Sequence, residues 1–260
     1  MSVATVGRSL RLAIGMLTAL RVPAVTRVTP ALATGALLLA PVAVLPLAAA
    51  VTLVCWAGGQ LELPPLAVAL LALAVVAVGS RALHLDGLSD VADGLTASYD
   101  RERSLQVMKS GTAGPAGVAA LVLVLGAQAA GLQSYVGAGD AWDTAWRGPV
   151  LAGLAVCVSR AALWITGCTL APPARPDGLG VTFTRRVPVV VAAVGWAALA
   201  VLAALAVDPV RGPVTVAVAA LAVAGLTWHC VRRFGGVTGD VFGAGIELAL
   251  AVLLIGLAGA

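Results

Sequence analysis

The chain has 260 residues, of which 60% are hydrophobic and 11% charged, with a formal net charge of +4. A water-soluble globular domain is about one-quarter charged, so that class is excluded. A β-barrel is excluded as well, because its strands alternate polar and apolar residues over about ten positions, whereas the runs here are apolar on every side.

What remains is an all-α, polytopic integral membrane bundle, since lipid-exposed backbone must satisfy its own hydrogen bonds. In such a chain Lys and Arg mostly record orientation. No basic patch is interleaved with aromatics, so the expected partner is the lipid bilayer and not nucleic acid. Cys55, Cys157, Cys168 and Cys230 lie in or beside apolar runs without a CxxC pair, which reads as small buried residues and not as metal or disulfide chemistry.

In chain order, residues 1–30 are interrupted by Arg8, Arg11, Arg21 and Arg27 and suit an interfacial helix better than a signal peptide. Seven hydrophobic segments follow, at 31–57, 65–84, 113–133, 148–170, 188–207, 213–230 and 242–260. Each is long enough to cross about 30 Å of hydrocarbon as a helix. The first carries Pro41 and Pro46, which predict a kink. Alternate connections hold thirteen Lys and Arg on one side and two, Arg147 and Arg211, on the other. Arg147 stands beside Asp140 and Asp143, and Arg160 is left inside the fourth segment. The positive-inside rule then places the N-terminus in the cytoplasm, with seven spans and one domain over residues 1–260.

The cytoplasmic connections carry the chemistry. HLDGLSDVADG (84–94) places Asp86, Asp90 and Asp93 at i, i+4 and i+7. If the second span continues as one helix past the membrane surface, these project within about 60° of one another, with Asp100 on the same stripe two turns later. Gly87 and Gly94 beside the stripe leave room for a bulky group to approach the carboxylates. Like charges so arranged either face open water or are bridged by a hard cation such as Mg²⁺, which takes carboxylates together with substrate phosphates. His84 falls on the opposite side of that helix and reads first as a packing residue, second as a functional one. GGVTGDVFGAGIE (235–247) places Asp240 and Glu247 seven apart, on one face of a helix begun near Asp240. A carboxylate two turns into a span costs about 3 kcal/mol on insertion scales, which points to function. The plainer reading is an acid paired with Arg160. Arg101, Arg103, Lys109, Arg175, Arg185 and Arg186 form a cationic collar suited to a phosphorylated substrate, though each also serves as a topology signal. The residues alone therefore describe a membrane enzyme with a cytoplasmic-face site that uses Mg²⁺ to transfer a phosphoryl-linked group from a diphosphate.

The chain resembles the adenosylcobinamide-GDP ribazoletransferase, or cobalamin-5'-phosphate synthase, family. The likeness rests on LRVP (20–23), HLDGLSDVADG (84–94), RERSLQVMKSGTAGPAG (101–117), DGLG (177–180) and GGVTGDVFGAGIE (235–247), in the family's order over nearly the whole chain. The family commonly has Thr-Arg before its first marker. Here Thr18 stands three residues before Arg21, and no role is carried onto either. The resemblance implies Mg²⁺-dependent joining of adenosylcobinamide-GDP to α-ribazole or its 5'-phosphate at the cell membrane, with release of GMP. It implies Asp86, Asp90 and Asp93 as metal ligands. Asp240, with Asp93, is carried as catalytic, Asp240 either completing the metal shell or taking the acceptor's proton. Arg101, Arg103 and Lys109 neutralise the departing GMP, and Glu247 and His84 are carried as substrate-binding groups. The oligomeric state stays open, a homo-oligomer included. Two alternatives are weaker. DVADGLTAS (90–98) begins like a CDP-alcohol phosphatidyltransferase pattern, but Ser98 replaces its Arg and no further acids follow Gly111. A transporter would need polar residues along a path to the far side, and these cluster at one face.

Overall fold

The computed structural model describes residues 2–137, 141 and 145–258. Asp140 and Asp143 lie outside the described residues. The described elements are helical, as the composition demands, and none is a strand.

The N-terminal helix α1 (Val3–Leu17) is amphipathic: it buries Ser9, Ala13 and Leu17 along one face and leaves Arg8 and Arg11 exposed. The first apolar segment breaks into α2 (Pro30–Leu38), α3 (Ala40–Ala43) and α4 (Leu45–Gln60). Pro41 and Pro46 stand in the first turns of α3 and α4, where a missing N–H costs nothing and the preceding helix must stop. The expected kink is therefore two breaks.

The second apolar segment differs more. Helix α5 (Pro65–Gly79) ends, and α6 (Leu83–Ala97) leaves it at 91°. Arg81 and Ala82 hold left-handed φ of 58° and 55° at the corner. Such backbone is unfavourable for non-glycine residues. It is held here by the Ala82 N–H donating to the Ala77 carbonyl (2.7 Å), Ala19 N–H to the Gly79 carbonyl (2.6 Å) and Arg81 Nη2 to the Gly15 carbonyl (2.9 Å). The aspartate-bearing helix is thus not a continuation of the span. It turns off its end and, with its charged residues, is read as lying outside the membrane-spanning segments. It stops at Ser98, and Asp100 leaves the stripe to cap α7 (Arg101–Val107) by accepting from the Arg103 amide at 2.8 Å.

The remaining helices are α8 (Pro115–Leu132), α9 (Arg147–Ser159), α10 (Ala162–Thr166), α11 (Leu179–Phe183), α12 (Val189–Ala206), α13 (Arg211–Phe234) and α14 (Gly239–Gly256). Residues 115–135, 147–166, 189–206, 211–234 and 239–256 are each long and apolar enough to cross a membrane, and α5 with α6 makes a sixth if the bent pair counts as one. Among the described residues five or six helices meet that test, against the seven spans expected; α4 and α5, at about 24 and 22 Å, are each shorter than the hydrocarbon by themselves. Helix α14 and the α9–α10 pair sit inside the bundle, while α12 is apolar all round yet mostly unburied, as a lipid-facing helix must be.

Candidate active site

The site forms where α6 and α14 meet. They approach backbone to backbone: a Cβ on Gly87 would stand 2.6 Å from the Asp240 carbonyl oxygen, and one on Gly243 would stand 2.9 Å from the His84 Cα. The space beside the aspartate stripe is therefore filled by the chain itself. At Gly94 it is filled by Met108 and Phe234. The close packing sets Asp240, in the first turn of α14, opposite the stripe. Asp86 is exposed, and Asp90 and Asp240 are half-buried. Asp240 Oδ2 accepts from the Thr238 hydroxyl at 3.0 Å. Burial, then repulsion from Asp240, Asp86 and Asp93, pushes the Asp90 carboxyl up to about 6, with Arg175 opposing.

Asp93 has a structural occupation besides the one its place on the stripe suggests. Its side chain is 6% exposed, and its two oxygens accept from the backbone amides of Gly114 (2.6 Å) and Gly117 (2.8 Å). These are the N-cap and third residue of α8, so the carboxylate caps a helix N-terminus and ties it to α6. Asp93, expected as metal ligand and catalytic group, thus also serves as a helix cap, with each oxygen accepting one backbone amide.

The basic residues divide in the same way. Arg101 Nη2 donates to the Ala174 carbonyl at 2.9 Å, and its guanidinium lies against Gly235, so it braces the loop instead of facing the acids. Arg103 is exposed on α7. Lys109 Nζ meets Asp177 Oδ2 at 3.4 Å in an exposed pair worth little by itself. Arg175, one of six in the expected collar, is the cation whose charge reaches both Asp90 and Asp240. Its Nη2 donates to the Leu105 carbonyl at 2.7 Å, while its buried Nε has no partner. Only its place in three dimensions separates it from its neighbours in sequence. The loop that carries it is positioned by Gly235, whose φ of 73° closes α13, and by two hydrogen bonds joining 172–174 to Val237. Lys109, Arg175, Asp240 and the Gly178–Gly180 turn line a cavity of about 200 Å³.

Glu247 lies behind this surface, and His84 lines a cavity with Asp86 and Asp240. Both are buried, with His84 Nδ1 3.8 Å from Glu247 Oε1. Gln128 Nε2 donates to Glu247 Oε2 at 2.8 Å and to its backbone carbonyl at 3.1 Å. Arg160 is fully buried, and its charge reaches Glu247 without a hydrogen bond between them. Its Nη1 donates to the Val156 carbonyl (2.9 Å) and Ser159 Oγ (2.8 Å), leaving Nε and Nη2 unpartnered. Glu247 thus stands in a buried polar cluster with Gln128 and His84, and Arg160 lies near it without the ion pair of its plainer reading. Gln128, the third member, gave no signal in the sequence.

Among the described residues no three His, Cys, Asp or Glu side chains stand close enough to enclose an ion by themselves. The donors present nevertheless fit Mg²⁺, which commonly takes one or two carboxylates and completes its shell with substrate phosphates and water. Asp86 and Asp90 are hard oxygen donors under mutual repulsion that a cation would relieve. The arrangement suits an ion shared with a phosphorylated ligand.

The cobalamin-5-phosphate synthase family model matches residues 9–258. The chain is 51% identical over 245 residues to the adenosylcobinamide-GDP ribazoletransferase of a Nocardioides species, covering 94% of this chain and 96% of that one. Proteins of the same name from Bradyrhizobium diazoefficiens (35% identical, covering 83% of this chain and 79% of that one) and Pseudomonas paraeruginosa (38%, covering 75% and 76%) are also similar. No solved structure matches.

Proposed function

The chain belongs to the cobalamin-5-phosphate synthase family, and we propose that it joins adenosylcobinamide-GDP to α-ribazole or its 5'-phosphate. The products are adenosylcobalamin or its 5'-phosphate, and GMP. A ribose hydroxyl of the acceptor attacks the cobinamide-side phosphorus. A new P–O bond forms, the bond to the bridging oxygen breaks, and its electron pair leaves with GMP. The observation that carries this reading is the convergence of Asp86, Asp90 and Asp240 with Arg175 and Lys109 at one end of the bundle.

Asp86 and Asp90 would hold Mg²⁺ beside the donor's diphosphate. The bound ion supplies electrostatic stabilisation of charge building on the two phosphates. Asp240, held by Thr238, receives the proton of the attacking hydroxyl. Arg175 and Lys109 offset the charge of the departing GMP. Asp93 supports the site by fixing α6 to α8, and Arg101 by bracing the loop that carries Arg175. The test is incubation of the purified protein with both substrates and Mg²⁺, with GMP followed by chromatography. GMP should appear and stop when a chelator is added. No GMP, or release that persists in chelator, overturns the reading.

The bias of Lys and Arg supports a site on the cytoplasmic face of the cell membrane, with the N-terminus inside. A Glu102→Cys variant, at an exposed position on α7, should react with an impermeant maleimide only after cells are opened. Labelling of intact cells would reverse the orientation.

A further inference from the structure

A second cavity, of about 140 Å³, lies on the other side of Asp240 and shares Leu179, Gly239 and Asp240 with the basic one. Its walls are mostly apolar, with Met16 and Leu17 from α1, Leu163 from α10, and Phe242 and Ile246 from α14, and its polar lining is His84, Asp86 and Asp240. No Lys or Arg lines it. The two cavities therefore differ in kind. The basic one offers Lys109 and Arg175 to an anion, with Asp177, the partner of Lys109, and Asp240 also in its lining. The apolar one has no cationic side chain to offset a phosphate lying beyond the ion held at Asp86 and Asp90, and a charge left so against hydrocarbon is unfavourable. Its size suits a flat ring: an apolar cavity of about 150 Å³ accepts benzene.

We propose that this apolar cavity holds the flat aromatic base of the acceptor nucleoside, while the basic cavity holds the guanosine-diphosphate end of the donor. This rests on the reaction proposed above and adds to it the placement of the two substrates. The acceptor's ribose then emerges beside Asp86 and Asp240, at the seam where the cavities meet, so the hydroxyl and the diphosphate are brought together there. The base is recognised by shape and burial. Phe242 and Ile246 set the size it must have.

The test is kinetic and direct at once. Ile246→Trp fills the cavity from within, and Met16→Trp narrows it from its half-buried rim, where an added ring disturbs packing less. Losing burial of an aromatic base, worth about 1.5–3 kcal/mol, should weaken acceptor binding by about tenfold or more. KM for α-ribazole should rise accordingly in whichever variant folds, and KM for adenosylcobinamide-GDP should stay within about twofold, since uniform binding of one substrate alone is lost. Phe242→Ala, which enlarges the cavity, should shift preference toward acceptors with a larger base. Titration of α-ribazole alone into the detergent-solubilised full chain gives the same comparison without turnover. If the wild type releases GMP but the filling variants raise the donor KM instead, or change neither, the cavity assignment falls and the reaction stands. If the wild type releases no GMP yet binds α-ribazole and Met16→Trp blocks that binding, the reaction falls and the cavity assignment stands.

Discussion

Replacing Asp93 by Asn separates support of the fold from chemistry. The carboxylate accepts two amide hydrogen bonds, at 2.6 and 2.8 Å, from the first turn of α8. Hydrogen bonds to charged groups contribute about 1.5–3 kcal/mol each, and a negative charge at a helix N-terminus adds about 0.3–1 kcal/mol. Asn preserves the shape but keeps one acceptor oxygen. Its NH₂ then points at an amide N–H, so one bond is lost, the charge is lost, and one buried donor is left unsatisfied. The expected loss is about 3 kcal/mol of stability, read as a fall in the thermal midpoint of the detergent-solubilised protein. Asp93→Ala loses both bonds and should cost more. The control is Asp86→Asn. That position is exposed, and a surface change away from such features stays within about ±0.5 kcal/mol, while GMP release is lost. If Asp93→Asn melts like the wild type yet forms no GMP, the capping argument is refuted and Asp93 acts on the ion or the substrate.

Because burial and neighbouring carboxylates raise the Asp90 carboxyl from 3.8 to about 6, its ionised form disfavours the folded state. Without a divalent ion its contribution to stability should decline as pH rises through roughly that window. Mg²⁺ should therefore raise the melting temperature more at pH 7.5 than at pH 5, and Asp90→Asn should remove most of that difference. Equal Mg²⁺ shifts at the two pH values would show that the ion binds elsewhere. Arg160→Leu removes the positive charge near Glu247 but also a buried guanidinium with two unpartnered nitrogens, so it should destabilise by less than the about 3–5 kcal/mol of a broken buried ion pair. Adding Glu247→Gln should recover part of it, and additive losses in thermal unfolding would argue against coupling. Arg175→Ala should raise KM for adenosylcobinamide-GDP severalfold, whereas Arg103→Ala should leave it unchanged. The reverse order in steady-state kinetics would move the phosphate site toward α7.

The sequence marked the segments that meet at the candidate site, but the expectation that the second span runs on as the aspartate helix failed at the 91° corner. The i, i+4, i+7 spacing places three aspartates along α6 because helical periodicity is local. It cannot divide their tasks, since α8 arrives from elsewhere in the chain to occupy both oxygens of Asp93. Arg101, Arg103 and Arg175 look alike in sequence. Only the loop held by Gly235 and Val237 brings Arg175 to Asp90 and Asp240 while turning Arg101 to the Ala174 carbonyl. The corner at Arg81 and Ala82 was invisible to hydropathy, because neither residue is one that favours left-handed backbone.

Composition alone determined that the chain is a helical membrane bundle, because transfer to lipid depends on how many apolar residues follow one another and not on where they end up. Spacing alone placed Asp86 and Asp90 on one side of a helix and Glu247 two turns inside another. Tertiary packing decided which acids stay free, which cation faces them, and that an apolar and a basic cavity meet at Asp240. Those outcomes depend on contacts between residues far apart in sequence, and no local pattern encodes them.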